Sequence, residues 1–298
     1  MSSVVAPVGG SARRNRTIGD VLGRCRRLLE DNGIAECSRE SRDIVAALLD
    51  VPRFWPAANI EDEASADLET RAMSAAAKRS VGAPLAYAVG RASFRHLTLD
   101  VDQRVLIPRV ETETLVERML ERCTADTRTI ADIGTGSGAL ALSFAFERKF
   151  ERVIATDVSL PALSVAEANA RSLGHLLKSP VEFRHGSLLA PLRGEKLDVI
   201  VSNPPYISEA EGPGLPASVR EWEPELALFS PDDGLSLTRD LIGQAPEILS
   251  PHGILALEVA TLRSRAVAEM VAIDGRYVDV EVLPDLTGRD RFVFARRI

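Results

Sequence analysis

Thr129-Ile130-Ala131-Asp132-Ile133-Gly134-Thr135-Gly136-Ser137-Gly138 predicts a buried strand that runs into a glycine-rich turn. The apolar first half has the composition of a strand inside a sheet, and a helical pattern follows the turn. Glycine has no side chain, so the backbone of such a turn can approach a ligand closely. We therefore predict that this strand, turn and helix form the ligand-binding start of an α/β sheet.

Strands and helices alternate on both sides of this stretch up to the end of the chain. After the strand at 129–133, further strands are predicted at 152–156, 181–184, 197–202, 253–259, 277–283 and 291–295. Alternating strands and helices imply a parallel, doubly wound sheet, and the last two strands suit an antiparallel pair. The predicted fold class is therefore α/β, with a doubly wound, seven-stranded, Rossmann-like sheet.

The residues before the sheet predict a separate helical region and a linker. Residues 1–16 are small, polar and basic without an apolar segment, so we expect a disordered tail and no secretory signal. Residues 17–81 carry three helical patterns, with Thr17 as an N-cap and Gly33 at a helix end. Residues 82–112 are predicted to be a β-hairpin linker with strands at 85–90 and 94–107. A helix capped by Thr112 then opens the main domain at 113–298.

Composition narrows the classes of protein to which the chain can belong. The formal net charge is −7, whereas a general nucleic-acid binder needs a basic surface. No apolar run reaches membrane-spanning length. The three cysteines lack C-x-x-C spacing and the four histidines lack ligand spacing, so we predict buried thiols, a reduced cytoplasmic setting and no metal site.

A second turn follows the strand at 197–202 and reads Asn203-Pro204-Pro205-Tyr206. Two prolines cannot donate to a ladder, so the chain must leave the sheet at Asn203. The Asn203 oxygen and the Pro204 carbonyl are acceptors that could each take one hydrogen of a substrate NH₂ group, with Tyr206 packed on the flat group. Such acceptors favour the more positive nitrogen that forms during attack. An ordinary Asn-Pro turn would have the same dipeptide.

The glycine-rich turn is compatible with two cofactors. Gly134, Gly136 and Ala139 satisfy the dinucleotide pattern G-x-G-x-x-A, and Asp157, after the second strand, is placed to reach ribose hydroxyls. The alternative is the G-x-G-x-G loop of S-adenosylmethionine binders, in which Asp132 would suit the cationic methionine end. The nearby Asn203 turn favours the methyl donor.

Several motifs together carry a resemblance to a known family. The Asn-Pro-Pro-Tyr turn is the signature of amino-methyltransferases that act on planar nitrogens. The other motifs are Gly82-Ala83-Pro84-Leu85-Ala86-Tyr87, Val105-Leu106-Ile107-Pro108-Arg109, Glu111-Thr112-Glu113, residues 219–228 around Glu223-Pro224, and Leu286-Thr287-Gly288-Arg289-Asp290-Arg291. Over about 17–297 the chain resembles the bacterial release factor glutamine methyltransferase family.

The resemblance implies a helical N-terminal docking domain, a hairpin linker and a methyltransferase domain. It implies transfer of a methyl group from S-adenosylmethionine to the glutamine amide of the Gly-Gly-Gln loop of peptide chain release factors, by a cytoplasmic protein expected to be monomeric. The implied substrate site comprises Phe94, Asn203, Pro204, Pro205 and Tyr206. The implied cofactor site comprises Asp132, Gly134, Thr135, Gly136, Ser137, Gly138, Asp157, Ser187, Leu188 and Asn203.

The chain departs from the family pattern at three places. Val110 stands where the family usually has Pro, and Gly186-Ser187-Leu188 stands where it usually has Gly-Asp-Trp near the adenine. After the fifth strand the chain reads Glu258-Val259-Ala260-Thr261-Leu262 rather than the usual Glu-His/Ile-Gly. These departures keep open a divergent member acting on another nitrogen of a protein or small molecule. The sequence is also compatible with a nucleic-acid adenine methyltransferase, a dehydrogenase or a non-catalytic regulator.

Overall fold

The computed structural model describes residues 16–298, and the predicted disordered tail at 1–16 lies outside them except for Arg16. The chain divides into two compact units, whose described parts are residues 16–89 and 90–298. The division of function among 17–81, 82–112 and 113–298 stays a prediction.

The first unit is helical. Thr17 is the N-cap of its first helix, as predicted, because its side chain accepts from the backbone N–H of Asp20, whose side chain in turn accepts from the N–H of Thr17. Gly33, with φ +77°, follows the end of this helix. Buried apolar side chains such as Val21, Ile44 and Ala72 form the core of this unit. The helices are α1 (Ile18–Asp31), α2 (Cys37–Leu49), α3 (Trp55–Ala58), α4 (Ala66–Ser80) and α5 (Leu85–Val89).

The segment 85–89 is a short helix, so the strand predicted there was wrong. Pro84 stands just before the helix, where its fixed φ angle and missing N–H are tolerated. Tyr87 and Ala88 are buried, and Gly90, with φ +78°, follows the last helical residue. A stretch of five residues is too short for apolar periodicity to separate helix from strand.

The second unit begins with a β-hairpin that is shorter than predicted. Its strands are β1 (Arg91–Phe94) and β2 (Leu97–Asp100), and they pair antiparallel. Residues 101–109 are irregular rather than a strand. Helix α6 (Val110–Arg122) begins three residues earlier than expected, with Arg109 as the N-cap residue. Thr112 is therefore inside the first turn, and its prediction as the N-cap was wrong.

The second unit contains the predicted seven-stranded sheet, in the order β5-β4-β3-β6-β7-β9-β8. Neighbouring strands from β5 to β7 are parallel, and β9 pairs antiparallel with β7 and β8. The strands are β3 (Thr129–Ile133), β4 (Arg152–Asp157), β5 (Val181–His185), β6 (Leu197–Ser202), β7 (Leu249–Glu258), β8 (Tyr277–Pro284) and β9 (Asp290–Arg297). The remaining helices are α7 (Ala139–Glu147), α8 (Leu160–Leu173), α9 (Ala217–Arg220), α10 (Glu225–Leu228), α11 (Ser236–Ile248) and α12 (Ser264–Asp274).

Each face of the sheet packs into its own hydrophobic cluster. Val199 and Val201 of β6 belong to the cluster that includes the hairpin, α6 and α7. Ile200, between them, belongs to the opposite cluster with α11 and α12. Because successive side chains of a strand point to opposite faces, this alternation shows that β6 is covered on both sides.

The strand order places a topological switch point between β3 and β6. From β3 the chain runs outward to β4 and β5 and then returns to β6 on the other side of β3. Ligands of open α/β sheets bind at such points, outside the carboxyl ends of the strands. Ile133 pairs with Ser202, and Ser202 pairs with Leu257, so the residues that follow these three lie side by side.

Two further observations concern residues 16–298 only. None of the helices described there is both long and apolar enough to span a membrane. The same residues contain no cluster of three or more histidine, cysteine, aspartate or glutamate side chains with metal-binding geometry.

Candidate functional site

The glycine-rich turn leaves β3 in a conformation that depends on glycine. The φ angles of Gly134, Gly136 and Gly138 are +76°, +55° and +87°. A Cβ atom at Gly134 or Gly136 would meet no heavy atom within 4 Å, so these residues present open backbone. At Gly138 a Cβ would lie 2.8 Å from Leu142 Cδ1 in α7, so this glycine lets the helix pack closely. The turn is thus open where a ligand could contact the backbone.

The Asp132 side chain is hydrogen-bonded to the glycine-rich turn and to the first turn of α7. Its Oδ2 accepts from the Thr135 hydroxyl at 2.7 Å and from the Ala141 N–H at 3.2 Å. The side chain has no exposed surface, and its Oδ1 has no hydrogen-bond partner among residues 16–298. Burial raises the pKa of the Asp132 carboxyl to about 7. In this structure Asp132 organises the turn.

Asp157 connects the end of β4 to the same turn. Its Oδ2 accepts from the Gly136 N–H and its Oδ1 from the Ser159 N–H, each at 2.9 Å. Ser159 in turn caps α8 by accepting from the N–H of Ala162. Burial raises the pKa of the Asp157 carboxyl above its ordinary value. Each carboxylate oxygen retains a lone pair for a ligand hydroxyl.

Ser187 and Leu188, which were predicted to lie near the adenine, follow β5. Ser187 is exposed, and Leu188 is half-buried and packs against the apolar cluster that includes Leu189. Leu188 adopts φ +46°, a conformation that non-glycine residues rarely adopt. Gly186 could not be replaced simply, because a Cβ there would lie 2.5 Å from Pro191 Cγ.

The Asn203 turn follows β6 directly beside the glycine-rich turn. The Ser202 hydroxyl donates to the Ile133 carbonyl at 2.7 Å and fixes the two strand ends together. Asn203, Pro205 and Tyr206 are half-buried and Pro204 is buried. The Asn203 Nδ2 donates to Thr112 Oγ1 at 3.2 Å. Across the described residues, no group donates to Asn203 Oδ1 or to the Pro204 carbonyl, so both predicted acceptors are available.

Thr112 and Glu258 form a polar pair behind Asn203. The Thr112 hydroxyl donates to Glu258 Oε2 at 2.6 Å, and both side chains are buried. Glu258 is the last residue of β7, in the row that also contains Asn203. Burial raises the pKa of the Glu258 carboxyl to about 7, although the hydrogen bond from Thr112 and the nearby Arg291 and Arg109 oppose this shift.

The far end of the turn is held by an arginine and a glycine. Arg263 donates to the Tyr206 carbonyl at 3.2 Å and pairs with Glu211 at 2.6 Å. Gly234, with φ +82°, packs under the same carbonyl, and a Cβ there would lie 2.7 Å from the Tyr206 oxygen. The guanidinium of Arg291 lies 6.0 Å from the centre of the Tyr206 ring. The contacts of Arg263 and Gly234 hold the backbone of Tyr206.

Two family motifs meet at a buried carboxylate close to the start of α6. Glu223 accepts from the Arg109 guanidinium at 2.6 Å and from the Ile107 N–H at 3.3 Å. Only 4% of the Glu223 surface is exposed. The ion pair therefore ties the segment before α6 to the segment after the Asn203 turn.

Phe94 is fully buried in this structure, and its predicted contact with the substrate stays a prediction. Its side chain has no exposed surface and belongs to the core cluster that includes Leu115, Met119 and Phe144. As the last residue of β1 it faces the core, because that face of the short hairpin packs on the sheet domain. In this structure Phe94 is a core aromatic residue.

Four residues of the site were not predicted from the sequence, namely Thr112, Glu258, Arg263 and Gly234. Glu258 carried a usable signal, because it is an acidic residue at the end of an apolar strand, as Asp132 also is. Burying an acidic side chain in that position costs free energy unless it has a hydrogen-bond or charge partner. Arg263 and Gly234 carried no such signal, since their contacts depend on the fold.

Comparison with known proteins gives a family match and close relatives. Residues 97–213 match the family described as Methyltransferase small domain. A protein of Moorella thermoacetica named release factor glutamine methyltransferase is 43% identical over 94% of this chain and 99% of its own length. A protein of the same name from Bacillus anthracis is 36% identical over 90% of this chain and 94% of its own length.

A solved structure resembles the chain in fold. The hMettl16 catalytic domain, in complex with a 3′UTR hairpin, matches with a TM-score of 0.53 and 19% identity. The match covers 80% of this chain and 85% of that one. At this identity the likeness concerns the Rossmann-like fold alone.

Proposed function

Because this chain belongs to the release factor glutamine methyltransferase family, we propose that it transfers a methyl group from S-adenosylmethionine to the glutamine side-chain amide in the Gly-Gly-Gln loop of peptide chain release factors. The observation that carries this proposal is the pair of open acceptors at the Asn203 turn, next to an open glycine-rich turn. An amide NH₂ offers two hydrogens to such a pair.

The residues of the glycine-rich turn fit the methyl donor. Gly134 and Gly136 present open backbone, and Asp157 offers carboxylate oxygens suited to ribose hydroxyls. Asp132 Oδ1 is buried and without a described partner, and a cationic ligand on the turn above it would favour the ionised form of this carboxyl. No basic residue stands in 132–138 to meet a pyrophosphate. When bound, the donor supplies an electrophilic methyl group on a sulfonium.

The Asn203 turn would position and activate the substrate nitrogen. An amide nitrogen is a weak nucleophile because its lone pair is delocalised into the carbonyl. The Asn203 Oδ1 and the Pro204 carbonyl would each accept one of its hydrogens and stabilise the positive charge that develops as it attacks. Tyr206 would pack on the planar amide. Much of the rate would come from holding the nitrogen in line, and the product nitrogen would then release a proton to water.

Partner and setting follow from the same proposal. A release factor carries its glutamine on a loop, so docking would use further surface, which we assign to the helical unit at 17–81, with 82–112 as the linker to the catalytic domain. We propose that the protein acts as a cytoplasmic monomer without direct nucleic-acid binding, as its formal net charge of −7 favours.

The test is methyl transfer to a purified release factor. The full-length protein is incubated with labelled S-adenosylmethionine and release factor, and the labelled peptide is mapped by mass spectrometry. A single methyl group on the glutamine of the Gly-Gly-Gln loop is the expected result. A release factor with that glutamine changed to alanine is the control and should stay unlabelled. Labelling elsewhere, or of a small molecule only, would contradict the proposal.

Changing Asp157 to alanine is expected to weaken cofactor binding. The carboxylate accepts from Gly136 and would also bind the ribose, so about 1.5–3 kcal/mol of binding free energy should be lost, the range for hydrogen bonds to charged groups. Calorimetry with S-adenosylmethionine measures the loss, and NAD should give no heat. Asp198→Ala is the matched control, because Asp198 also accepts backbone N–H groups, at the start of β3. Tight binding of NAD would refute the cofactor assignment.

A further inference from the structure

Two hydrogen bonds form a chain from Asn203 through Thr112 to Glu258. The geometry points to Glu258 and Thr112 as positioning residues, which fix the orientation of the Asn203 amide so that its oxygen faces the substrate nitrogen. This inference rests on the proposed function, because it assigns the Asn203 oxygen the task of accepting a substrate hydrogen. Neither Thr112 nor Glu258 is assigned contact with the substrate.

The Thr112 hydroxyl has a single hydrogen, and its direction decides the rest of the chain. Thr112 Oγ1 lies 2.6 Å from Glu258 Oε2, and the ionised carboxylate can only accept, so in that form of Glu258 the hydroxyl hydrogen points to it. The Thr112 oxygen then has only lone pairs left for Asn203. It therefore accepts from an N–H, and the Asn203 Nδ2 lies 3.2 Å away.

The orientation of the Asn203 amide follows from this direction. An asparagine amide has nearly the same shape when its oxygen and nitrogen are exchanged, so neighbouring groups must decide which one faces a ligand. With Nδ2 bound to Thr112, Oδ1 faces away from it and remains without a partner in the described chain. If the hydroxyl instead donated to Asn203, the amide would turn over and present a donor to the substrate N–H.

Burial keeps water away from the two hydrogen bonds of this chain. Thr112 and Glu258 are 5% and 1% exposed, which limits competition from water for either hydrogen bond. The two residues come from α6 and β7, and Asn203 follows β6 in the same row of strand ends as Glu258. The charged groups around Glu258 are Arg291, Arg109 and Glu111, and a raised pKa of Glu258 to about 7 leaves it ionised at mildly alkaline pH.

The first test replaces Thr112 with valine, which keeps the shape and removes the hydroxyl. We expect kcat for release factor methylation to fall about tenfold, the value of one lost hydrogen bond of about 1.4 kcal/mol, with little change in KM or in cofactor affinity. Thr112→Ser should restore activity. Thr114→Val is the matched control, since Thr114 is a buried threonine of the same helix whose hydroxyl has no partner in the described chain.

A double-mutant cycle separates orientation from general damage. If Thr112 acts only through Asn203, the variant that combines Asn203→Ala with Thr112→Val should be no slower than Asn203→Ala alone. Full additivity of the two losses in kcat would overturn the inference. So would a Thr112→Val enzyme with the wild-type kcat, or an equal loss in Thr114→Val.

Glu258→Met gives a second variant whose folding and activity should change in different ways. Methionine fills a similar volume without an acceptor, so Thr112 becomes free to donate to Asn203. We expect a melting temperature at or above that of the wild type, because a buried carboxylate is removed, and a kcat at least several-fold lower. A wild-type kcat would overturn the inference. So would a loss of activity that is fully explained by unfolding of the variant. Failure of the wild-type protein to methylate release factor would instead overturn the proposed function.

Discussion

Replacing Asn203 with alanine is expected to lower kcat for release factor methylation about 10²–10³-fold, by analogy with the loss of one oxyanion-hole donor. The substitution removes the Oδ1 acceptor and leaves one substrate N–H without a partner. The effect should appear equally in kcat and kcat/KM, because the acceptor acts mainly as positive charge develops on the nitrogen. Single-turnover methyl transfer under saturating donor is the appropriate measurement.

The controls for this variant distinguish acceptor loss from cofactor loss. Affinity for S-adenosylmethionine should fall much less than kcat, because Asp157 and the glycines of the neighbouring turn are untouched. Asn203→Asp keeps an acceptor but adds a charge and loses the Nδ2 donor to Thr112, so it should retain more activity than alanine only if the acceptor is what counts. An Asn203→Ala enzyme that methylates at the wild-type rate would end this account of the turn.

Replacing Phe94 with alanine is expected to destabilise the protein by about 3–5 kcal/mol, the usual range for removal of a buried phenylalanine. The side chain has no exposed surface and belongs to the core cluster with Leu115 and Phe144, so its removal leaves a cavity. Chemical denaturation followed by circular dichroism measures the change. Phe54→Ala is the matched control, since 72% of the Phe54 surface is exposed and the change should be small.

A milder variant decides between packing and substrate contact for Phe94. The resemblance implied that this ring flanks the glutamine, whereas the structure places it inside the core. Phe94→Leu, which keeps most of the volume, should lower the free energy of unfolding modestly and leave the kinetics of the folded enzyme unchanged. A large rise in KM for release factor at an unchanged melting temperature would return Phe94 to the substrate site.

The sheet and its two turns were predictable because each carries a strong local signal. The glycines at 134, 136 and 138 need positive φ angles, and the two prolines after Asn203 forbid a ladder, so both turns are encoded within a few residues. The switch point then follows from the alternation of strands and helices. That the two turns lie side by side also follows from the switch point, and the pairing of Ile133 with Ser202 agrees with it.

The parts that escaped prediction depend on contacts between distant residues. The five residues of α5 are too few for a helical period to be recognised. A phenylalanine such as Phe94 is equally common in a core and in a substrate site, so its residue type alone does not decide between them. Thr112 was expected to cap a helix, since capping is the common task of threonine near a helix start. Its actual partners, Asn203 and Glu258, are 91 and 146 residues away, and no local pattern connects them.

The buried carboxyl groups of Asp132 and Glu258 also link the stability of the fold to protons. Both have a folded pKa of about 7, above the ordinary values of 3.8 and 4.5 that an unfolded chain would show. Between those values the folded protein binds more protons than the unfolded chain, so stability falls as the pH rises. The contribution of each group is fully present below its unfolded pKa and is lost as the pH rises through about 7. Alkaline solution therefore converts the Glu258 carboxyl to the ionised form that orients Asn203, and it lowers the stability of the fold at the same time.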